Sequence, residues 1–335
     1  MASALPTTMK GVIIERTGGV DVLQYRTDLP LPQPQPGQIL VKNDLAGINY
    51  IDTYFRSGLY PCPHFPYSLG REAAGTVAQT ASQGDMCGLQ PGDRVVWLGE
   101  AAYAEYSATP ADRAAKIPAG METRTAAAAL LQGLTALTLI REAHHVQRGD
   151  WVLVHAAAGG TGLWLCQLLN ATGAHVIGTA STAEKVDVVR RTSASTHMVN
   201  YTTEDVREAV TRLTDGHGCV AVFDGVGRST FDLSLDCVAR KGSLVSFGNA
   251  SGAVPPVTIS RLSAKNVRLM RPQLFGYIAT REEFAKYTRE MLDLVERGEV
   301  EVRIHEVYPL SEVRRSHEDL EGRVSTGKLL LDVTK

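Results

Sequence analysis

A short, continuously apolar run, Trp151–Ala156, passes directly into Ala157-Ala158-Gly159-Gly160-Thr161-Gly162, and this junction leaves few folds open. Such a run is the pattern of a strand buried on both faces, as in parallel sheets. Leu163–Thr172 follows with helical periodicity, and His175–Thr179 reads as a second strand. Gly159 and Gly160 carry no Cβ to hold the backbone away from a pyrophosphate, while Gly162 lets the helix pack closely on the strand. Free N–H groups and the dipole at the helix start favour the phosphates there. A glycine cluster alone is an ordinary strand-to-helix turn; the flanking elements make this one a dinucleotide-binding turn.

The end of the second strand discriminates between dinucleotides, because an NAD site places an acid there against the ribose 2′-hydroxyl. Here it reads Gly178-Thr179-Ala180-Ser181-Thr182-Ala183-Glu184-Lys185, with no Asp or Glu at the strand end itself. Ser181 is suited to hydrogen-bond a 2′-phosphate, Lys185 to neutralise it, and Tyr201, after the next strand, to add a phenolic donor. The other reading makes Lys185 a solvated helix residue and Glu184 the discriminator. The expected cofactor is NADPH.

Around this turn the texture of the chain changes. Residues 10–130 hold short β-type runs, Gly11–Glu15, Gln38–Ala46, Gly75–Ala78, Asp93–Leu98 and Ala102–Ala108, separated by turns such as Gln35-Pro36-Gly37 and Gln90-Pro91-Gly92-Asp93. From the helix-forming run Ala126–Leu139 onward, strands and helices alternate. Strands are expected at His197–Asn200, Cys219–Asp224 and Ser243–Phe247, and helices at Thr182–Arg190, Glu204–Leu213 and Thr230–Ala239. That spacing predicts a doubly wound parallel sheet. Arg281–Arg297 has the pattern of an amphipathic helix and Leu329–Val333 of a terminal strand. A chain of 335 residues supports two cores. The expected division is an α/β protein with a β-rich domain over 1–129 and 273–335 and a dinucleotide-binding domain over 130–272.

Composition excludes several classes. A formal net charge of −2 offers no basic field for nucleic acid or anionic lipid. Met1–Lys10 has no apolar core of a leader and no later run is long enough to span a bilayer, so a cytoplasmic protein is expected. Five dispersed cysteines without a CxxC pair argue against a disulfide framework and a structural zinc cage.

Gly18-Gly19-Val20-Asp21-Val22-Leu23, the stretch Gly47–Tyr60 (GINYIDTYFRSGLY), Ala156–Gly162, Asp224-Gly225-Val226-Gly227 and Ser246-Phe247-Gly248-Asn249 occur in an order that resembles the zeta-crystallin-like quinone oxidoreductases, a zinc-free branch of the medium-chain dehydrogenases/reductases. The resemblance covers nearly the whole chain. It implies a GroES-like catalytic domain, a Rossmann domain and NADPH in the cleft between them. It also implies that Asn49 and Tyr54 line the nicotinamide and substrate pocket, with Tyr60 near its mouth. Gly159, Gly160, Thr161 and Gly162 would hold the pyrophosphate, and Ser181, Lys185 and Tyr201 the adenosine phosphate. Val226, Phe247, Gly248, Asn249, Pro272, Gln273 and Leu274 would flank the nicotinamide end, and Arg323 would approach from the C-terminal lobe. Thr161 and Gly225 depart from the valine and serine common at those places, changes that remove no charge and no needed N–H.

Zinc-dependent relatives take ligands from three stretches that here read Ile48-Asn49-Tyr50, Gly70-Arg71-Glu72 and Leu131-Gln132-Gly133. None offers a thiolate or imidazole. Without a Lewis acid the fitting substrate is an electrophile already activated by conjugation, a quinone or an α,β-unsaturated carbonyl. Tyr54, assisted by Asn49, would donate a hydrogen bond to the developing oxyanion, or both residues simply pack beside the cofactor. Enone reduction, a crystallin-like role and binding of AU-rich RNA follow from the resemblance as alternatives; the near-neutral composition gives the last no support. Arg71 is expected to pair with a carboxylate, and Asp93 and Asp150 to serve turns. Strands at Val257–Ile259 and Val267–Met270 would end the Rossmann sheet and join two copies edge to edge, unless the loop Asn249–Pro256 covers that edge.

Overall fold

A computed structural model describes residues 5–335. The chain divides into two compact units, the first comprising residues up to Leu131 with Thr280–Glu296 and Val302–Lys335, the second Gln132–Ala279 with Arg297–Glu301.

The first unit opens with β1 (Thr8–Ile14), β2 (Gln24–Pro30), β3 (Gln38–Ile48), α1 (Tyr50–Ser57), β4 (Tyr67–Ser68), β5 (Glu72–Thr80), β6 (Arg94–Leu98), β7 (Tyr106–Pro110), β8 (Ala114–Lys116) and the start of α2 (Thr123–Thr138). In the second unit run β9 (Trp151–Val154), α3 (Gly160–Thr172), β10 (His175–Ala180), α4 (Ala183–Thr192), β11 (His197–Asn200), α5 (Val206–Leu213), β12 (Cys219–Asp224), α6 (Phe231–Cys237), β13 (Val238–Ser246), β14 (Arg268–Met270) and α7 (Leu274–Tyr277). The chain then returns to the first unit with α8 (Arg281–Glu296), β15 (Ile304–Pro309), α9 (Val313–Glu321) and β16 (Lys328–Asp332).

The returning strand β16 pairs antiparallel with β3, setting Leu330 opposite Gly47, so the last strand of the chain completes a sheet begun by the first hundred or so residues. Alternate residues of these strands, Ile39, Val41, Leu329 and Leu331, enter one core with Val12, Ile14, Trp97 and Tyr103.

The sheet of the second unit has the order β11-β10-β9-β12-β13-β14 and is parallel throughout. Leu153, Ile177, Val199, Val222 and Leu244 carry its core across five neighbouring strands. Those runs are apolar because helices cover both faces of such a sheet. The order reverses between β9 and β12, which in an open parallel sheet opens a crevice at the carboxyl ends of the strands.

Two local expectations are corrected, and one strand is added. Val257–Ile259 is not a strand; a 3-10 turn runs over Ile259–Leu262 instead, preceded by Pro255-Pro256, which have no N–H to donate to a ladder. The strand expected at Ala102–Ala108 begins at Tyr106, with Tyr103 bonded singly to Val12 and Leu69 across a bend. Strand β2 escapes sequence reading because its residues are half-exposed and partly charged, with no alternation.

Candidate functional site

In the second unit the residues expected to meet the cofactor each follow the carboxyl end of a strand. The glycine turn leaves β9; Ser181 and Lys185 follow β10; Tyr201 follows β11; Val226 follows β12; Phe247, Gly248 and Asn249 follow β13; Pro272, Gln273 and Leu274 follow β14.

The turn itself is built by backbone. Ala156 adopts a positive φ of 51°, and Ala157 N–H returns to Thr179 O at 2.9 Å, binding the turn to β10. Gly159 caps α3 with extended backbone, and the first intrahelical bond runs from Leu163 N–H to Gly159 O, 2.9 Å. The N–H groups of Gly160, Thr161 and Gly162 lie before that bond and point out of the helix start. A Cβ on Gly162 would overlap the backbone of Ala156 and Ala157, so only glycine lets the helix sit this close. At Gly159 an added Cβ would have only Ala156 O near it, at 3.2 Å, which leaves room for a ligand to approach the backbone. An anionic diphosphate fits this cradle.

At the adjoining strand ends, Tyr201 N–H donates to Ala180 O (3.1 Å) and the Thr202 hydroxyl to Ser181 O (3.2 Å), holding Tyr201 and Ser181 at one edge. Tyr201 is 45% exposed, so its phenol is presented to solvent. Thr182 caps α4 by accepting from Lys185 N–H at 3.3 Å. Glu184 is engaged at the same helix start: its backbone N–H and the Thr182 hydroxyl hold its carboxyl below the usual range. No carboxylate stands at the end of β10 itself.

Asp224, fully buried, organises the far side, a role its place in the Asp224–Gly227 motif does not reveal. Its Oδ1 accepts from Val226 N–H (2.8 Å) and Gly227 N–H (3.0 Å), and its Oδ2 from the Ser234 hydroxyl (2.7 Å), with Thr230 donating to the same carboxylate. The β13 loop is laced to this turn through Phe247 N–H to Asp224 O (2.8 Å) and Ser251 N–H to Val226 O (2.8 Å). Arg271 donates to Ser246 O (2.8 Å) and Gly248 O (3.2 Å). Gly225 has a structural reason: a Cβ there would press on the Phe247 ring at 2.8 Å.

In the first unit, Asn49 caps α1, and Asp52 Oδ2 accepts from its backbone N–H at 2.8 Å. The Asn49 side chain is 6% exposed and every amide atom has an internal partner. Nδ2 donates to Glu72 Oε1 (2.9 Å) and Gly47 O (3.2 Å), while Oδ1 accepts from Lys328 Nζ (2.8 Å). The expectation that Asn49 reaches out to substrate meets an amide already bonded within its own unit. Tyr54, 8% exposed, lies a turn further along α1, its ring edge-on to Tyr60 at 5.3 Å. Phe55, Tyr60 and Tyr67 extend this aromatic cluster. Arg71 stacks on Phe55 at 4.2 Å, donates to the Tyr67 hydroxyl at 3.0 Å and pairs with Glu100 at 2.8 Å, which names its carboxylate. Arg323 lies in the exposed turn after α9 with a positive φ of 56°.

On the inner side of α1, Asp52 is fully buried. Burial pushes its carboxyl up to about 6, against hydrogen bonds from Tyr103 and Asn49. His317 is held neutral: burial, with the Arg56 guanidinium beside it, takes the imidazole down to about 3. Asp93 and Asp150 serve turns as expected, each accepting from the backbone N–H three residues earlier at 2.8 Å. His144 is partly buried, its Nδ1 3.0 Å from the Ser243 hydroxyl.

Zinc does not fit the donor set. Arg71 is a guanidinium with no lone pair to give, Asn49 is bonded internally, and Gln132 packs its amide against Gly160. Among the described residues no three His, Cys, Asp or Glu side chains converge to hold a metal, and no helix is long and apolar enough to cross a membrane.

Residues 35–119 match the alcohol dehydrogenase GroES-like domain and residues 160–297 the zinc-binding dehydrogenase family. A probable quinone oxidoreductase of Schizosaccharomyces pombe is 43% identical over 96% of this chain and 96% of its own length. The crystal structure of Escherichia coli quinone oxidoreductase complexed with NADPH superposes with a TM-score of 0.91 at 40% identity, covering 96% of this chain and 99% of that one. A 2-haloacrylate reductase of Burkholderia is 32% identical over 95% of this chain and 97% of its own length.

Proposed function

Because this chain belongs to the quinone oxidoreductase family of medium-chain dehydrogenases/reductases, we propose that it reduces quinones with NADPH and without a metal. The observation that carries the cofactor assignment is the end of β10, where hydroxyls and Lys185 stand and no carboxylate does, Glu184 being held by its own helix start. The glycine turn and the N–H groups of α3 would hold the pyrophosphate; Ser181, Lys185 and Tyr201 the 2′-phosphate; and the loops fastened by Asp224 the nicotinamide end.

NADPH, when bound, supplies the hydride. The chain's own part is to bind, orient and donate. Tyr54, nearly buried among aromatic rings, is the proposed donor to the quinone oxygen that gains charge, and the flat rings of Tyr54 and Tyr60 suit a flat conjugated substrate. Asn49 acts from within, keeping the start of α1 in place.

A steady-state comparison of ortho-quinones, para-quinones and enones, followed by loss of NADPH absorbance, tests this. Turnover with quinones unaffected by a strong chelator is expected; no turnover with any quinone, or turnover lost on chelation, would overturn it. The 2-haloacrylate reductase relative favours a second reading, reduction of an activated C=C bond, and the enone arm of the comparison decides between them.

Assembly as a homodimer in the cytoplasm completes the proposal. Strand β14 is the sheet's edge, exposed along its length, with Leu269 36% and Met270 38% accessible, which suits edge-to-edge pairing about a two-fold axis. Sedimentation equilibrium should give twice the chain mass; 36.1 kDa without concentration dependence would exclude the dimer.

A further inference from the structure

Lys328 and Glu72 form an ion pair with side chains 1% and 0% exposed. Burying two charges is costly, and apolar residues of similar size usually replace such a pair without loss of stability. Such a pair invites a role beyond holding the fold.

The partners supply one. The Lys328 ammonium directs its donors to Glu72 Oε1, Asn49 Oδ1 (2.8 Å) and Ile48 O (3.1 Å). Glu72 Oε1 also accepts from Asn49 Nδ2 (2.9 Å), and Glu72 Oε2 accepts from Leu131 N–H (2.7 Å). Ammonium, carboxylate and amide thus form a closed ring in which each has its partners, and the ring ties together the end of β3, the start of β5, helix α2 and strand β16. Gly47 is part of the design, since a Cβ there would collide with the Glu72 carboxylate. An amide rotates easily about its last torsion, and here its oxygen is held by a cation and its nitrogen by an anion, so only one orientation is satisfied. Asn49 is also the residue from which α1 departs, one turn before Tyr54.

We infer that Lys328 and Glu72 are positioning residues for the reduction: through Asn49 they set the start of α1 and hence the placement of Tyr54. This rests on the reading given under Proposed function. Neither residue touches substrate; their effect is on geometry.

The test replaces the pair by apolar residues, Glu72→Leu with Lys328→Met, in the full-length protein, and compares it with wild type, Asn49→Ala and the triple variant. Because it leaves Leu131 N–H and the Asn49 amide without their partners, the paired variant is expected to unfold at a lower denaturant midpoint than wild type yet to be folded under assay conditions, and to bind NADPH within twofold by fluorescence titration. Its kcat for a quinone should fall at least tenfold with KM for NADPH unchanged. In the Asn49→Ala background the same replacement should lower kcat less than threefold further, because the route through Asn49 is already cut. A paired variant with wild-type kcat overturns the inference, as does an effect that multiplies fully with Asn49→Ala. Should the paired variant not fold, Glu72→Gln with Lys328→Gln makes the same comparison; if neither folds, the pair is a requirement of the fold and the inference fails. A wild-type protein inactive toward quinones sinks instead the function on which the inference rests.

Discussion

At the scale of single residues, two buried titrating groups, Asp52 on α1 and His317 on α9, pull stability in opposite directions. His317 has a folded value of about 3, below its unfolded 6.5, so the unfolded chain binds more protons between these values and stability falls as pH falls through that window, by up to about 1.4 kcal/mol per pH unit. Asp52 has a folded value of about 6, above its unfolded 3.8, so the folded chain holds the proton first and acid relieves a penalty between those values. The expected net result is acid destabilisation, made shallower by His317→Gln and steeper by Asp52→Asn. Urea midpoints measured from pH 7 to pH 4 check this; slopes that move the opposite way would show the assignments reversed. At the other unit, Lys185→Ala should weaken NADPH by about tenfold to a hundredfold, the loss of one charge-assisted contact of about 1.5–3 kcal/mol, and leave NADH nearly unchanged. Equal weakening of both cofactors would remove Lys185 from phosphate recognition.

At the scale of elements, the clearest sequence signals were those whose physics is local. The strands His197–Asn200 and Cys219–Asp224 match expectation residue for residue; β12, inside the sheet, is apolar up to Asp224, whereas β11 lies at the sheet's edge and buries only Val199. The glycine turn was legible for the same reason: its requirement is written in consecutive residues. The Glu72–Lys328 pair was not, since its members lie 256 residues apart and a lone charge in a strand reads as a solvated face. Asp224 was read only as part of a family motif, and its role as the fastener of two loops depends on Thr230 and Ser234, which become its neighbours only when α6 forms. The close seat of α3 on the turn gives a sharp expectation. Gly162→Ala should cost about 1–3 kcal/mol through overpacking against Ala156 and Ala157, and should weaken NADPH by displacing the helix start. Unchanged thermal stability and affinity in that variant would show that the contact yields freely.

At the scale of the whole molecule, the interleaved path of the chain has a temporal side. The second unit is nearly continuous, needing only Arg297–Glu301 from beyond its main span, whereas the first cannot complete its main sheet until β16 arrives beside β3. Contacts between residues so far apart in sequence form late, after the entropy of a long loop has been overcome. During synthesis the first 131 residues would therefore wait, with the Leu45–Ile48 end of β3 lacking its β16 partner and Glu72 without its counter-charge, while the second unit is made and folds. A chain ending before Lys328 should still bind NADPH through a folded second unit, yet show a first unit open to protease and amide exchange; full protection of β3 in that truncation would contradict this order. The strand that closes the older half is thus made after the second unit, so a nascent chain acquires its cofactor-holding half before the half that would use it.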